Sequence, residues 1–338
     1  MNHYLESLDV LEPKSGDIAN YLVLDLFAGC GGLSLGFESI GFKTIGYESK
    51  KDAVDTYNKN LNGNCHLELL TPDFNFPNAD VIIGGPPCQP FSVGGKQMGL
   101  KDSRDGFPIF INAVRKVQPK IFMFENVRGM LYKNREYLDE ILIELESLGY
   151  KLTYELLNAK HFGVPQNRER FIVWGHKDTL LLPKRHKQIY TAGDALSDIA
   201  FKVNADDIFL TPSQDKYVAK YEKASKCINP RDLNFKKPAR TLTCRNLAGA
   251  TGDMHRIKLP DGRRKRLSIR EGARLQSFPD WFEFCGTKST IYEQIGNAVA
   301  PLFARSLAFT IANYLLGDFP QEVERVNIQR SLFEVNHQ

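Results

Sequence analysis

The chain has 338 residues, a hydrophobic content of 42% and a formal net charge of +4, which indicates a globular protein with a large core and two domains. We find no apolar run that approaches membrane-spanning length, no signal-peptide layout at the N-terminus and no CxxC pair among the six cysteines. These features argue against a membrane protein, a zinc site and a disulfide framework, and we expect a cytoplasmic protein.

The first half of the chain predicts strands that alternate with helices. Apolar runs predict strands at 21–27, 43–49, 80–85 and 120–126, with helices at 51–60, 108–117 and 134–148. LTYELLNA and RFIVWG then predict a closing β-hairpin with a long loop. Because this alternation is typical of a parallel sheet covered on both faces, we predict an α/β fold.

The pattern changes after about residue 178. Residues 179–290 contain 22 Lys and Arg against 12 Asp and Glu, and the densest basic run is RIKLPDGRRKRLSIR, from Arg256 to Arg270. A solvated surface could carry such charges, but so strong an imbalance favours contact with nucleic acid. We therefore predict a separate, loop-rich nucleic-acid-binding domain at 179–290.

A long helical pattern returns from about residue 291, in GNAVAPLFARSLAFTIANYLL. Its apolar positions suit packing onto the sheet. The first domain is therefore predicted to be discontinuous, formed by 1–178 together with 291–338.

A glycine-rich turn follows the first predicted strand. Gly29, Gly31 and Gly32 would let the backbone approach a ligand closely at a helix N-terminus, although FAGCGG is not the dinucleotide pattern GxGxxG. Glu48 ends the second strand, where an acid can accept hydrogen bonds from ribose hydroxyls. Phe27 could stack on adenine or belong to the core. Together these residues predict an adenosine-containing cofactor.

The segment GGPPCQPFSVGG places one cysteine, Cys88, among prolines. Pro86, Pro87 and Pro90 cannot continue a helix or a central strand, so Cys88 lies on a stiff loop at the end of the strand DVIIGG. The thiol is either incidental to a rigid turn or a nucleophile held at a fixed angle over a cleft.

Further polar residues are predicted at the same carboxyl edge of the sheet. Glu125 ends an apolar strand, where it could be desolvated enough to donate a proton, or could cap a helix. Arg168 and Arg170 could clamp a planar polar group or form a surface ion-pair cluster. Asn297 is predicted to open the last helix beside the glycine loop. A thiol, an acid and a guanidinium together indicate nucleophilic attack on an electron-poor ring.

Six segments, in this order, resemble the motifs of the DNA (cytosine-5)-methyltransferases of bacterial restriction–modification systems. They are DLFAGCGGLSLGFESIGF, GGPPCQPFS, ENVRGML, QNRERFIV, RLSIREGARLQSFPDWF and QIGNAV, with a basic region between the fourth and fifth. The resemblance covers nearly the whole chain. It implies a Rossmann-like, S-adenosylmethionine-dependent methyltransferase sheet domain with a smaller, loop-rich target-recognition domain.

The resemblance implies a covalent mechanism on a cytosine flipped out of the duplex. Cys88 would attack carbon six, and Glu125 would protonate the ring nitrogen. Carbon five would take the methyl group of S-adenosylmethionine and then lose its proton. Arg168 and Arg170 would hold the base and the catalytic loop, while Pro87 would shape the pocket.

The resemblance also implies which residues contact the two substrates. Cofactor contacts are implied for Phe27, Gly29, Gly31, Gly32, Glu48 and Asn297, and Glu68 in CHLELL is the nearest substitute for the Asp that the family uses at the adenine amino group. DNA contacts are implied for Gln89, Ser92 and Thr241. The basic run predicts phosphate contacts for Arg263, Arg264, Lys265 and Arg266.

This interpretation implies a monomer that acts on double-stranded DNA, in a cell that could also contain a restriction endonuclease. Three alternatives stand beside it. A tRNA cytosine methyltransferase of the same fold is the nearest, but PFSVGGKQMG and the long basic insert favour DNA. A non-catalytic DNA-binding module would not need Cys88, Glu125 and Arg170 together. A nicotinamide oxidoreductase would explain the glycines but not PPCQPFS.

Overall fold

A seven-stranded sheet organises the part of the chain that the computed structural model describes, which is residues 3–87, 105–132, 134–224, 226, 231–249 and 252–317. The strands of the described residues are β1 (Leu22–Leu26), β2 (Lys43–Glu48), β3 (Asn64–Leu67), β4 (Val81–Gly84), β5 (Ile121–Val127), β6 (Lys151–Asn158), β7 (Gln166–Asn167), β8 (Glu169–His176), β9 (Ala239–Arg240), β10 (Arg256–Lys258) and β11 (Arg264–Arg266). The order in the large sheet is β3-β2-β1-β4-β5-β8-β6, and β7 pairs with β9 and β10 with β11.

The helices cover both faces of this sheet and build the region that follows it. They are α1 (His3–Leu8), α2 (Gly32–Glu38), α3 (Lys51–Asn60), α4 (Phe107–Val117), α5 (Arg135–Ser147), α6 (Ala192–Leu196), α7 (Pro212–Ala224), α8 (Cys244–Ala248), α9 (Ile269–Leu275), α10 (Lys288–Asn297) and α11 (Pro301–Leu316).

The strand directions bring several loops to one edge of the sheet. Strands β1 to β5 run parallel, so their carboxyl ends meet at that edge. Strand β8 runs antiparallel to β5, with Val127 opposite Arg170, so β8 begins where β5 ends. A residue at the start of β8 therefore reaches the same edge as the loops that follow β1, β2 and β4.

Each face of the sheet carries its own core, because side chains alternate between the faces along a strand. Val23, Ile83 and Trp174 pack in a core that includes residues of α2, α3 and α11. Leu24 and Phe122 pack on the other side in a core that includes residues of α4 and α5. Coverage of both faces confirms the predicted α/β architecture, and β6 and β8 confirm the predicted hairpin.

Two local predictions are wrong. The edge strand β3 was not predicted, because only Cys65 among its four residues is buried and the segment carries no apolar run. The predicted C-terminal helix is divided in two, since Ala298 and Ala300 adopt extended conformations (ψ 147° and 126°) ahead of Pro301. Proline disfavours a helical conformation in the residue before it. Asn297 therefore ends α10 instead of opening the last helix, and the predicted domain boundary at 291 falls inside α10.

The stretch Lys288–Leu316 is, against expectation, apolar and long enough to cross a membrane by length and composition alone. The break before Pro301 divides it, and 61% of its most apolar window is buried inside the protein. Leu307 and Ile311 of α11 are fully buried in the first core. The stretch is therefore a pair of core helices.

Residues 179–290, which we call the recognition region, share a hydrophobic core with one face of the sheet. Leu242, Ile257 and Leu267 belong to the same buried cluster as Val23 and its neighbours. The division into 1–178 plus 291–338 and 179–290 stays a prediction.

Candidate active site

A cavity of about 980 Å³ opens at the carboxyl edge of the sheet. Its walls include residues from the loops after β1, β2 and β4, from the end of β5, from the start of β8 and from the end of α10. Predicted site residues among them are Phe27, Gly29, Gly32, Glu48, Glu125, Arg168, Arg170 and Asn297. The structure thus brings these predicted cofactor residues and these predicted catalytic residues into one space.

The glycine turn after β1 has the unusual backbone that its sequence predicts. Phe27 adopts a positive φ of 62°, which is uncommon for a bulky residue. At Gly32 a Cβ atom would lie 2.5 Å from the carbonyl oxygen of Val299, so only glycine allows α2 to begin this close to the segment before α11.

Gly31 faces the core and does not line the cavity. Its φ is 87°, and a Cβ atom there would lie 2.8 Å from the Tyr57 ring. The glycine is therefore required by backbone conformation and by packing against α3, which differs from the cofactor contact that the sequence predicts.

Glu48 connects the ends of β1 and β2. Its Oε2 accepts a hydrogen bond from the backbone N–H of Gly29 (3.0 Å), and its Oε1 accepts from those of Ser49 (2.8 Å) and Lys50 (2.9 Å). These bonds fix the carboxylate at the cavity wall. Glu68 follows β3, is half-buried and does not line the cavity, although its backbone N–H donates to the carbonyl oxygen of Glu48 (2.9 Å).

Asp25 is a cavity residue that the sequence analysis missed. It lies in β1 and is buried; its Oδ2 accepts from Ser34 Oγ (2.7 Å), but its Oδ1 has no hydrogen-bond partner. Burial raises the pKa of Asp25 to about 7, against a lowering contribution from the Ser34 hydroxyl. An acid inside the apolar run LVLDL was the available signal, because a carboxylate is rarely buried without a polar or cationic partner.

We expect Asp25→Asn to remove a pH dependence from the stability of the ligand-free protein. The folded pKa of about 7 exceeds the unfolded pKa of ~3.9. The stabilisation is therefore complete below about pH 4 and is lost as the pH rises to about 7, which amounts to at most ~4 kcal/mol. Denaturant unfolding of both proteins between about pH 4 and 8 measures the difference, and parallel pH profiles would contradict the assignment.

The chain reaches the cavity wall again after β4, in Gly85, Pro86 and Pro87. The side-chain amide of Asn126 donates to the carbonyl oxygen of Pro86 (2.9 Å), and the backbone N–H of Gly106 donates to that of Pro87 (2.9 Å). The chain on either side of residues 88–104 is therefore fastened at one point. Cys88, Gln89 and Ser92 themselves lie outside the described residues. Asn126 was missed as a site residue, although it adjoins Glu125 in ENV.

Glu125 and Arg170 form an ion pair at the cavity wall. The Arg170 Nε lies 2.5 Å from Glu125 Oε1, and the two side chains are only 11% and 12% exposed. Arg170 NH1 donates to the carbonyl oxygen of Glu169 (2.7 Å), which restrains the guanidinium. The pair fixes the orientation of the Glu125 carboxylate, so the structure supports the predicted proximity of an acid and an arginine.

Arg168 holds structural elements together. Its guanidinium donates to the carbonyl oxygens of Leu242 (2.7 Å), Gly296 (3.2 Å) and Ala298 (2.9 Å). Burial, and then the charge of Arg170, lower the pKa of Arg168 well below its ordinary value. The side chain joins the start of β8 to the recognition region and to the end of α10, so it is a positioning residue that also lines the cavity.

Thr241 lies at the junction between β7 and β9. Its hydroxyl donates to the carbonyl oxygen of Asn167 (2.7 Å), and its own carbonyl oxygen accepts from the Asn246 side chain (2.9 Å). Thr241 therefore fastens the recognition region to the rim of the cavity. Asn297 is exposed at the cavity mouth.

Within the basic run, three of the four cations at 263–266 are held by partners inside the protein, although the sequence predicts a phosphate contact for each of the four. Lys265 is buried between Asp207 (3.2 Å) and Glu271 (3.1 Å). Arg264 pairs with Asp232 (2.8 Å) and Asp215 (3.1 Å), and Arg266 donates to carbonyl oxygens at the end of α8. Only Arg263 of the four has a largely exposed side chain, at 55%, and it pairs with Asp261.

The architecture matches that of a solved methyltransferase. A DNA modification methyltransferase encoded within an Escherichia coli prophage superposes with a TM-score of 0.63 at 24% identity, over 88% of this chain and 99% of that one. At that identity the likeness concerns the fold alone. Together with the strand order of the sheet, the likeness defines a Rossmann-like α/β fold.

Comparison of the sequence then gives the family. Residues 21–313 match the model of the C-5 cytosine-specific DNA methylases, and the chain belongs to this family. It is 55% identical to the Type II methyltransferase M.AplI of Arthrospira platensis, over 91% of this chain and 90% of the relative. It is 36% identical to the Type II methyltransferase M1.HphI of Haemophilus parahaemolyticus, over 84% and 85%. The protein is a DNA (cytosine-5)-methyltransferase and requires a methyl donor.

Proposed function

We propose that the enzyme transfers the methyl group of S-adenosylmethionine to a cytosine flipped out of double-stranded DNA, through a covalent bond to Cys88. The observation that carries this proposal is the shared cavity. The Gly29–Glu48 contact and the Glu125–Arg170 pair line the same space, and Pro87 brings the chain to its wall directly before Cys88.

The cavity residues fit S-adenosylmethionine. Glu48 would accept hydrogen bonds from the ribose hydroxyls, and Phe27 would lie against the adenine. Asp25, whose Oδ1 is buried without a partner, would face the positively charged methionine end, and Asn297 would lie near it. When bound, this donor supplies an electrophilic methyl group on a sulfonium. The resemblance also implies a contact between Glu68 and the adenine. That contact stays a proposal, and Glu68 does not line the cavity.

Cys88 is the proposed nucleophile, and the properties of other cysteines support it. Burial raises the pKa of Cys30 to about 12 and also raises that of Cys65, so both stay protonated. A thiol of ordinary pKa near 8.5 still provides a few per cent of thiolate at neutral pH. The Cys88 sulfur would add to carbon six of cytosine, which shifts electron density to carbon five.

Glu125 is the proposed acid, and Arg170 is proposed to orient it. As sulfur adds, the Glu125 carboxyl would donate a proton to ring nitrogen three, and Arg170 would keep that carboxyl directed at the base. After methylation, nitrogen three would return its proton to Glu125, and a base would remove the proton from carbon five. The electron pair of that bond re-forms the ring double bond and expels the Cys88 thiolate. Arg168 would hold the cavity walls that both residues need.

The cellular setting is proposed from the relatives. Two relatives are named Type II methyltransferases, and we infer that this enzyme protects DNA in a restriction–modification system alongside a cognate endonuclease. We further propose that it acts as a cytoplasmic monomer. Residues 179–290 would form its target-recognition domain, with Gln89, Ser92 and Thr241 near the DNA.

A methylation assay tests the substrate. We expect label from methyl-tritiated S-adenosylmethionine to enter duplex DNA and not transcribed tRNA of equal cytosine content. Acid digestion should then recover 5-methylcytosine. Glu125→Gln should lower the turnover by about 10²–10⁴-fold, because the ring nitrogen loses its proton donor. Label that enters tRNA alone would favour the tRNA methyltransferase alternative.

A further inference from the structure

The arginines of the basic run fasten helix α7 to the β10–β11 hairpin. Arg264 lies 3.1 Å from Asp215 and 3.8 Å from Glu222, and Arg256 lies 3.3 Å from Glu222. Both acids belong to α7, and Val218, which lies between them on the same helix face, is buried. The acids of α7 therefore face the β10–β11 hairpin and form ion pairs with its arginines.

The opposite face of α7 is basic and aromatic. Lys216, Lys220 and Lys223 are exposed, and among the described residues none of them has an acidic partner within ion-pair distance. Tyr217 and Tyr221 stand one helical turn apart on this face, 53% and 42% exposed. We call these five residues the outer face of α7. It carries three positive charges and no acid.

This face continues from the rim of the cavity. A Cβ atom at Gly252 would lie 3.4 Å from the Tyr217 hydroxyl, and the next residue, Asp253, accepts from Arg240 NH2 (2.8 Å). Arg240 precedes Thr241 and Leu242, which fasten the recognition region to Asn167 and Arg168 at the cavity wall. A duplex that delivers a base to the cavity would therefore extend towards α7.

We infer that the outer face of α7 is a contact surface for duplex DNA, with its three lysines on phosphate oxygens. The inference rests on DNA as the substrate and on the cavity as the site of reaction. Ammonium groups at a solvated helix face suit phosphates, and tyrosine hydroxyls add hydrogen bonds to phosphate or base edges. The basic run has an indirect role here, because its arginines orient α7 instead of reaching DNA.

The test compares the salt dependence of DNA binding by two triple variants. In the first, Lys216, Lys220 and Lys223 are replaced with glutamine. The matched control carries Lys14→Gln, Lys43→Gln and Lys151→Gln. These lysines are exposed; Lys43 begins β2, Lys151 begins β6 and Lys14 hydrogen-bonds to the end of α2, so all three lie at the opposite edge of the sheet.

We expect the α7 variant to bind cognate and unrelated duplexes more weakly by a similar factor. Its plot of log affinity against log salt should be shallower by up to about 2.7, or 0.9 for each lost phosphate contact. Between 50 and 200 mM salt that corresponds to a roughly 40-fold smaller loss of affinity. The control variant should follow the wild type, and lysine-to-arginine replacement at the three α7 positions should preserve the wild-type slope.

An α7 variant whose slope equals that of the control would overturn the inference. A second experiment separates this result from failure of the proposed chemistry. A duplex with 5-fluorocytosine at the target position should hold the enzyme as a covalent Cys88 adduct, and we measure this adduct at low salt with S-adenosylmethionine present. If the α7 variant still forms the adduct at saturating DNA, the chemistry stands and only the surface is in question. If the wild type forms no adduct, the covalent mechanism is at fault, and the salt slopes still decide the role of α7.

Discussion

We expect the replacement of Cys88 with alanine to abolish methyl transfer and to leave DNA binding intact. In the proposed mechanism the Cys88 thiolate adds to carbon six, and without this addition carbon five would not become nucleophilic. Phosphate contacts and base flipping do not need the sulfur. Flipping costs only a few kcal/mol of unstacking and unpairing, and the pocket contacts that offset this cost remain in the variant. We expect the rate with labelled donor to fall to background while the dissociation constant for duplex DNA stays within a few-fold of the wild type.

Fluorocytosine at the target position makes the same mechanism visible. Fluorine at carbon five cannot leave as a cation, so the adduct that forms after methyl transfer cannot resolve. The complex should survive denaturing electrophoresis, require S-adenosylmethionine to accumulate and disappear in Cys88→Ala. Methylation by the variant at the wild-type rate, or a trapped peptide that contains Cys30 or Cys65, would refute the proposed nucleophile.

We expect the replacement of Lys265 with methionine to destabilise the fold, although the sequence predicts only a DNA contact there. The ammonium is buried between Asp207 and Glu271, and it also donates to the carbonyl oxygen of Lys202 (3.3 Å). Glu271 Oε2 accepts from the backbone N–H of Ser268 (2.7 Å), which caps α9. Removing the cation leaves two buried carboxylates uncompensated, which typically costs about 3–5 kcal/mol.

Thermal and denaturant unfolding measure this effect. The neighbouring Arg263→Ala is the control, because that side chain is 55% exposed, its pair with Asp261 is solvated, and its guanidinium otherwise lies over the Phe209 ring. Below its unfolding temperature Lys265→Met should keep the wild-type salt dependence of DNA binding. A Lys265→Met protein as stable as the wild type but with a shallower salt slope would return Lys265 to the DNA surface.

Whether a cation of this region stabilises the fold or is available to DNA thus depends on how deeply it is buried. Lys265 and the exposed lysines of α7 carry the same charge, yet the first is enclosed by carboxylates and the others face solvent. The excess of positive charge in 179–290 was a sound indication of a nucleic-acid partner. It did not indicate which cations face that partner, because the count ignores the acids that fold against them.

The sequence by itself determined the architecture and most of the cavity wall. Short apolar runs at β1, β2, β4 and β5 predict a sheet that is buried on both faces, and the carboxyl ends of parallel strands meet at one edge by geometry alone. For that reason the turn after β1, the acid Glu48 and the acid Glu125 could be assigned to one site from local pattern. The motifs that resemble the cytosine methyltransferases indicated the class of reaction, and the family match bears out that class.

Only the tertiary structure decided how side chains distant in sequence share their charges. Arg170 meets Glu125 because β8 runs antiparallel to β5. Arg168 donates hydrogen bonds to three carbonyl oxygens from two distant segments. Asp25 loses its solvent because helices close over β1. Ion pairing and desolvation depend on distances across the fold, whereas periodicity along the chain reports only which face of an element is apolar. That is why the sequence predicts a DNA surface at the basic run, whereas the structure shows Arg264 and Lys265 of that run paired with carboxylates inside the protein.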